Sequence, residues 1–232
     1  MTWLAWITFG LALVLAAVRI PAAVRGQNRL MLGLFALIAG AVLLSIQGPY
    51  LAIDAALGGF NLTNLVLRFL LFAISLLLAV RIARAFNARD AQHILLGPWG
   101  LAALGLVCVG TVVSFLLMGA VPSSVGLGAG EDEHWFEAYA SLGRVYPTFT
   151  GLVLLPCLVR AVRLRGLGVL RSAAALLAAG YVLLALTNLF PLMPDEWVAA
   201  KQTMNYGSLL LLLTGLATIW MASVVTRRRS ET

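Results

Sequence analysis

Runs of Leu, Ala, Val, Ile and Phe separated by short polar stretches recur seven times along the chain, at about 3–18, 30–48, 61–80, 98–118, 135–159, 172–190 and 203–224. Each run is near the ~20 residues that an α-helix needs to cross a hydrocarbon core. Inside hydrocarbon every backbone amide must be bonded within its own segment, which favours helices and excludes open strands. The pattern therefore predicts an all-α polytopic membrane protein, a seven-transmembrane-helix bundle forming a single domain over 1–232. No connecting segment is long enough to fold alone. The longest, about 119–134, is Gly/Ser-rich and ends in Glu131-Asp132-Glu133, so a mobile external loop is expected there.

Charge orients the bundle. Of the 16 basic residues, Arg19, Arg25, Arg29, Arg81, Arg84, Arg89, Arg160, Arg163, Arg165, Arg171, Arg227, Arg228 and Arg229 fall on alternate connections and the tail. Basic connections mark the cytoplasmic side. The opposite connections carry Asp54, Glu131, Asp132, Glu133, Glu137, Asp195 and Glu196 against Lys201. The expected topology is amino terminus outside and carboxyl terminus inside, in a bacterial cytoplasmic membrane. Trp3, Trp6, Tyr50, Trp135 and Trp197 at outer ends and Trp99 at an inner end fit aromatic belts.

Composition narrows the function. A net charge of +7 in a soluble domain would suggest nucleic acid, but dispersed over short loops it implies orientation and contact with the lipid bilayer, and no nucleic-acid partner is expected. The first run lacks a charged leader and a small-residue cleavage site, so a retained helix is expected. Cys108 and Cys157 lie at different depths and are expected to be packing thiols. No lysine sits within the last helix to carry retinal. Only His93 and His134 exist, both in loops, so no haem axial pair is available. No Ser/His pair, membrane aspartate pair or HExxH is present. The chain is expected not to be an enzyme, with no cofactor and no metal site. Sugar carriers built from two three-helix units share the length and orientation, but Pro21 and Pro49 fall at or beyond helix ends where those carriers need prolines within helices.

Two arginines interrupt the runs. An arginine at mid-membrane costs about 2.5 kcal/mol or more, so each requires a partner. At 1.5 Å per residue, Arg68 lies roughly 10 Å and Arg144 roughly 13 Å in from the outer ends of their helices. Asn61, Asn64, Arg68 and Ser75 share one helical face, and so do Glu137, Ser141, Arg144 and Thr148. Pro147, three residues after Arg144, cannot donate to the Gly143 carbonyl and is expected to bend the helix. Three readings stand. One is an outward-facing cavity in which Arg68 and Arg144, with Asn64, Ser141, Asn188 and Asn205, bind a small anionic or polar solute through the guanidinium fork. The second is a structural network closed by Glu137, carbonyls and interhelical amides. The third is snorkelling of both arginines to the interface. Asp54 and the Glu131-Asp132-Glu133 run read as solvated loop charge, not as a metal site. Ala174 with Ala178, and Ala175 with Ala179, are small pairs suited to close helix packing.

Asn61-Leu62-Thr63-Asn64-Leu65, opening the third run, and Arg160-x-x-Arg163-x-Arg165-Gly166-Leu167 leading to Arg171 before an alanine-rich sixth run resemble a group of actinobacterial seven-helix integral membrane proteins of unassigned function, often labelled transporters. The resemblance covers about the middle half of the chain. It implies a membrane location and a bundle fold without fixing an activity, and the longer members carry a cytoplasmic domain that this sequence does not show. The leading expectation is transport or binding of a polar or anionic solute. The alternative is a non-enzymatic sensor or regulatory subunit acting through a membrane or cytoplasmic protein partner.

Overall fold

The computed structural model of the chain describes residues 2–26, 29–119, 123–125, 133–163 and 168–230. Among these residues the regular structure is entirely helical: α1 (Thr2–Val24), α2 (Arg29–Leu44), α3 (Gln47–Ala56), α4 (Leu62–Ala85), α5 (Arg89–Leu96), α6 (Pro98–Leu117), α7 (Glu133–Arg163), α8 (Gly168–Leu186) and α9 (Val198–Ser230), with 3₁₀ turns at Thr187–Leu192 and Asp195–Trp197. Every predicted apolar run falls on a helix. Five helices, α1, α4, α6, α7 and α8 with its following 3₁₀ turn, are long and apolar enough to cross a membrane, and they fit a multi-pass membrane protein. The second run is not straight: α2 and α3 pass the same test only as a pair, bent by 90°. In α9 the apolar stretch among the described residues is the shorter Gly207–Ile219.

The chain divides into two compact units, Met1–Leu78 with Ala103–Gly143, and Ala79–Ala102 with Arg144–Thr232. In the first, α1 packs along α2. Gly33 and Gly40 of α2 let Leu77 and Leu70 of α4 approach, a Cβ at either glycine lying 3.7 and 3.6 Å from the respective leucine methyl. The reversed order of the two contacts shows that these helices run antiparallel. Phe115, Met118 and Tyr139 form a buried cluster, covered by Leu62, Leu65, Trp135 and Phe136. On α6, Leu106, Val109 and Leu116 remain mostly exposed, an apolar stripe that suits lipid tails and not water. Tyr50, expected at an interface, is instead fully buried.

In the second unit α8 packs along α9. Gly180 faces Leu212 and Gly215 faces Leu177, each with a leucine methyl 3.0 Å from where a Cβ would sit. The buried face of α8 is Ala173, Ala174, Leu177, Gly180 and Tyr181. Ala175 and Ala179 are exposed, so the close approach uses a neighbouring stripe of small residues, not that pair. Cys108 and Cys157 are free, half-buried thiols, in keeping with a packing role.

Gly151 of α7 makes a tight contact in this unit. A methyl group there would fall on the ring of the buried Tyr181 and come within 2.8 Å of its Cγ and 3.0 Å of its Cβ. The obstructing atoms belong to the root of a packed side chain, which cannot swing aside. Gly151→Ala is expected to destabilise by about 2 kcal/mol, in the range of overpacked cores, and to lower the unfolding temperature in detergent; an unchanged melting curve would refute the close packing.

Candidate functional site

The Arg68 station is built within the first unit. Helix α4 begins at Leu62, so Arg68 lies in its second turn, half-buried, with the buried Asn64 one turn before it. The Arg68 guanidinium lies over the Tyr139 ring of α7, 4.9 Å from its centroid. The Tyr139 hydroxyl donates to the Asn64 side-chain oxygen at 2.8 Å. One turn along α7, Gly143 presents bare backbone to the same guanidinium: a Cβ there would fall on Nη1 and come within 2.7 Å of Cζ. The arginine is therefore held by a π-face on one side and by a missing side chain on the other, a cation–π arrangement that strengthens as water is removed. Glu137 is exposed, and among the described residues no carboxylate pairs with Arg68.

The second unit holds Arg144. Its guanidinium lies over the Phe190 ring, 5.4 Å from the centroid. The Asn188 amide donates to Thr148 Oγ1 at 2.8 Å and to the Ala185 carbonyl at 3.0 Å. Pro147 lies within α7, and the Thr150 hydroxyl donates to its carbonyl at 2.8 Å. Of the six residues that the sequence put forward, Asn64, Arg68 and Ser141 thus belong to the first unit, and Arg144, Asn188 and Asn205 to the second. Asn64 and Asn188 are engaged in side-chain hydrogen bonds, and Ser141 is half-buried on α7. Asn205 is on α9, and its side chain lies outside the described residues.

Asp54 corrects the reading as a solvated loop charge. It lies on α3, fully buried. Its Oδ2 accepts from the Asn61 amide and its Oδ1 from the Thr63 amide, both at 2.9 Å, and Ser123 Oγ also donates to Oδ2. The carboxylate caps the amino end of α4, where unsatisfied N–H groups and the helix dipole favour negative charge. The chain reaches this cap through Gly58, Gly59 and Asn61, all at positive φ. Glycine adopts that backbone without penalty and asparagine tolerates it. Asn61 is secured by its side-chain oxygen, which accepts from Tyr50 Oη at 2.8 Å and from the Ser124 amide at 3.0 Å. Ser123 and Ser124, within the expected mobile loop, are thus tied to this knot. The Glu131-Asp132 pair lies outside the described residues, as does the side chain of Glu133. Beside the knot is a groove of about 520 Å³ lined by Ser45, Gln47, Leu51, Ser123 and Ser124 among others. Among the described residues no cluster of His, Cys, Asp and Glu suits a metal.

Tyr139 and Gly143 are not among the residues that the sequence put forward. The available signal was spacing: Tyr139 and Gly143 are one turn apart, which sets them on one face of α7. No protein-family model matches the chain, and no curated protein or solved structure matches it either.

Proposed function

We propose that this protein binds a small anionic or strongly polar solute at membrane depth and passes it across the bilayer without chemical change. The observation that carries the reading is the Arg68 guanidinium, held between the Tyr139 ring and the bare backbone of Gly143. A fixed planar fork of donors is the feature that carboxylate and phosphate recognition needs. Tyr139 and Gly143 hold the arginine without neutralising it, which leaves its charge for a ligand. In the same unit Asn64 and Ser141 supply polar groups near it, and in the second unit Arg144 lies over Phe190. The frame for this reading has seven spans, with the amino terminus outside and the carboxyl terminus in the cytoplasm of a bacterial cell, as the alternation of arginine and carboxylate connections supports.

A ligand that binds only the folded state raises its stability. Thermal-shift measurements on the purified protein against anionic and zwitterionic metabolites are expected to give at least one anionic compound that raises the melting temperature. Arg68→Ala and Arg144→Ala are each expected to remove that rise while the protein still inserts and folds. A screen with no anionic response, with both variants merely less stable, would assign the arginines to the structural network.

A further inference from the structure

Between the two spans α4 and α6 the chain makes a single eight-residue helix, α5, whose sides differ. Ala91 and Leu95 are buried. Arg89, Gln92, His93, Leu96 and Gly97 line a groove of about 480 Å³ on the opposite side. Asp90 and Ile94, one turn apart, form an exposed stripe on its flank. Because α4 ends at Ala85 and α6 begins at Pro98, α5 is tethered within a few residues of two membrane-spanning helices. It must lie at the level of the lipid headgroups, which extend about 5–7 Å beyond the hydrocarbon core.

The corner that holds it there is tight. A Cβ at Gly97 would fall on the His93 carbonyl oxygen. One at Gly100 would fall on the carbonyl oxygens of Ile94 and Leu95 and come within 2.7 Å of the Leu95 carbonyl carbon. Only glycines let the first turn of α6 seat against the last carbonyls of α5, so the groove has a fixed place relative to α6. Charge and exposure are arranged around it. From 79 to 102 three arginines, Arg81, Arg84 and Arg89, face the single carboxylate Asp90. Arg84 and Arg89 are exposed, and Trp99, at the foot of α6, is 82% exposed next to Leu96 at 48%. Cationic and hydrogen-bonding donors thus line a groove with bare apolar surface beside it, at the one depth where a phosphate and an acyl chain meet.

We propose that the α5 groove is a binding site for one anionic phospholipid, with Arg89 and His93 taking the headgroup phosphate, Gln92 donating beside them, and Leu96 and Trp99 lying against the glycerol and upper acyl chain. The charge complementarity selects an anionic over a zwitterionic headgroup, since an arginine near an anionic surface contributes roughly fivefold in affinity. Trp99 suits the interfacial level.

The test is native mass spectrometry and thermal unfolding of the full chain in detergent, with phosphatidylglycerol or phosphatidylcholine of identical acyl chains added. The wild type is expected to retain one phosphatidylglycerol more strongly than phosphatidylcholine and to melt at a higher temperature with it. Arg89→Gln is expected to weaken that retention roughly fivefold, and Arg89→Gln with His93→Gln to abolish the preference, with the melting temperature in phosphatidylcholine unchanged. These side chains are exposed, so folding is not at stake; Trp99→Ala, expected to weaken retention of both lipids, provides a second reading of the same groove. Equal retention of the two lipids would overturn the proposal. So would a preference that survives the double variant, or one lost equally when Arg227, Arg228 and Arg229 are changed to Gln, which would mark diffuse surface charge. A response to glycerol 1-phosphate alone that matches the lipid would show a site for free phosphate esters and overturn it as well.

Discussion

Asp54→Asn is expected to destabilise the protein by about 2 kcal/mol and Asp54→Ala by about 4 kcal/mol, as one and then several buried donors lose their acceptor at about 1–3 kcal/mol each. The order follows from the geometry. An amide keeps one oxygen, and whichever site it fills, its NH₂ group faces a donor. If the oxygen takes the Oδ2 position, it still accepts from Asn61 and Ser123, but the Thr63 amide meets another N–H. Alanine removes all three bonds and leaves the amino end of α4 without its anionic cap. The knot also holds Asn61 at a φ of 58°, a conformation that a non-glycine residue keeps only when its surroundings enforce it. Thermal unfolding in detergent checks the series. Equal melting temperatures for wild type and Asp54→Ala would show that the carboxylate carries no structural weight.

Gly143→Ala is expected to abolish the anion-induced rise in melting temperature as completely as Arg68→Ala, without removing any charge. The added methyl would occupy the position of the Arg68 guanidinium, and that guanidinium is the far end of a flexible side chain. The arginine is expected to swing away from the Tyr139 ring at small cost in stability, below about 1 kcal/mol, since one exposed-type cation–π contact is worth about 0.5–1 kcal/mol. The pair of variants separates the roles of charge and position. If Gly143→Ala retains the full ligand response, the arginine acts by charge alone and its placement is immaterial. If both variants retain it, the solute does not bind at Arg68.

The helices were legible because hydrocarbon imposes the same demand on every span, a run of apolar residues of near-constant length. The break inside the second run was not. Pro49, just beyond the second run, reads as a helix end, yet proline is equally at home in the first turn of a helix, and α3 starts at Gln47. Helix α5 escaped because eight residues containing Arg89, Asp90, Gln92 and His93 carry no net apolar signal, and its two-residue buried face is too short for periodicity to register. The special standing of Arg68 could be read from its burial cost in lipid, whereas its partners could not: Tyr139 bonds to Asn64 across 75 residues of sequence. Asp54 was misjudged for the same reason, because its burial depends on Ser123, 69 residues away, and no local pattern reports such a contact.

The bend after Leu44 has a consequence for the surrounding bilayer. Helix α2 has 16 residues, so it measures about 24 Å, roughly 6 Å less than the thickness of an unperturbed hydrocarbon layer. Starting from either surface, it stops short of the other, at a turn where Ser45 and Ile46 have left the helical ladder. The turn keeps its own hydrogen bonds, the Ser45 amide donating to the Val42 carbonyl at 3.0 Å and the Ile46 amide to the Leu43 carbonyl at 3.2 Å, so the backbone is satisfied there without water. A bilayer would meet so short a rod by local thinning or by a change of tilt, at a modest elastic cost for each ångström of mismatch.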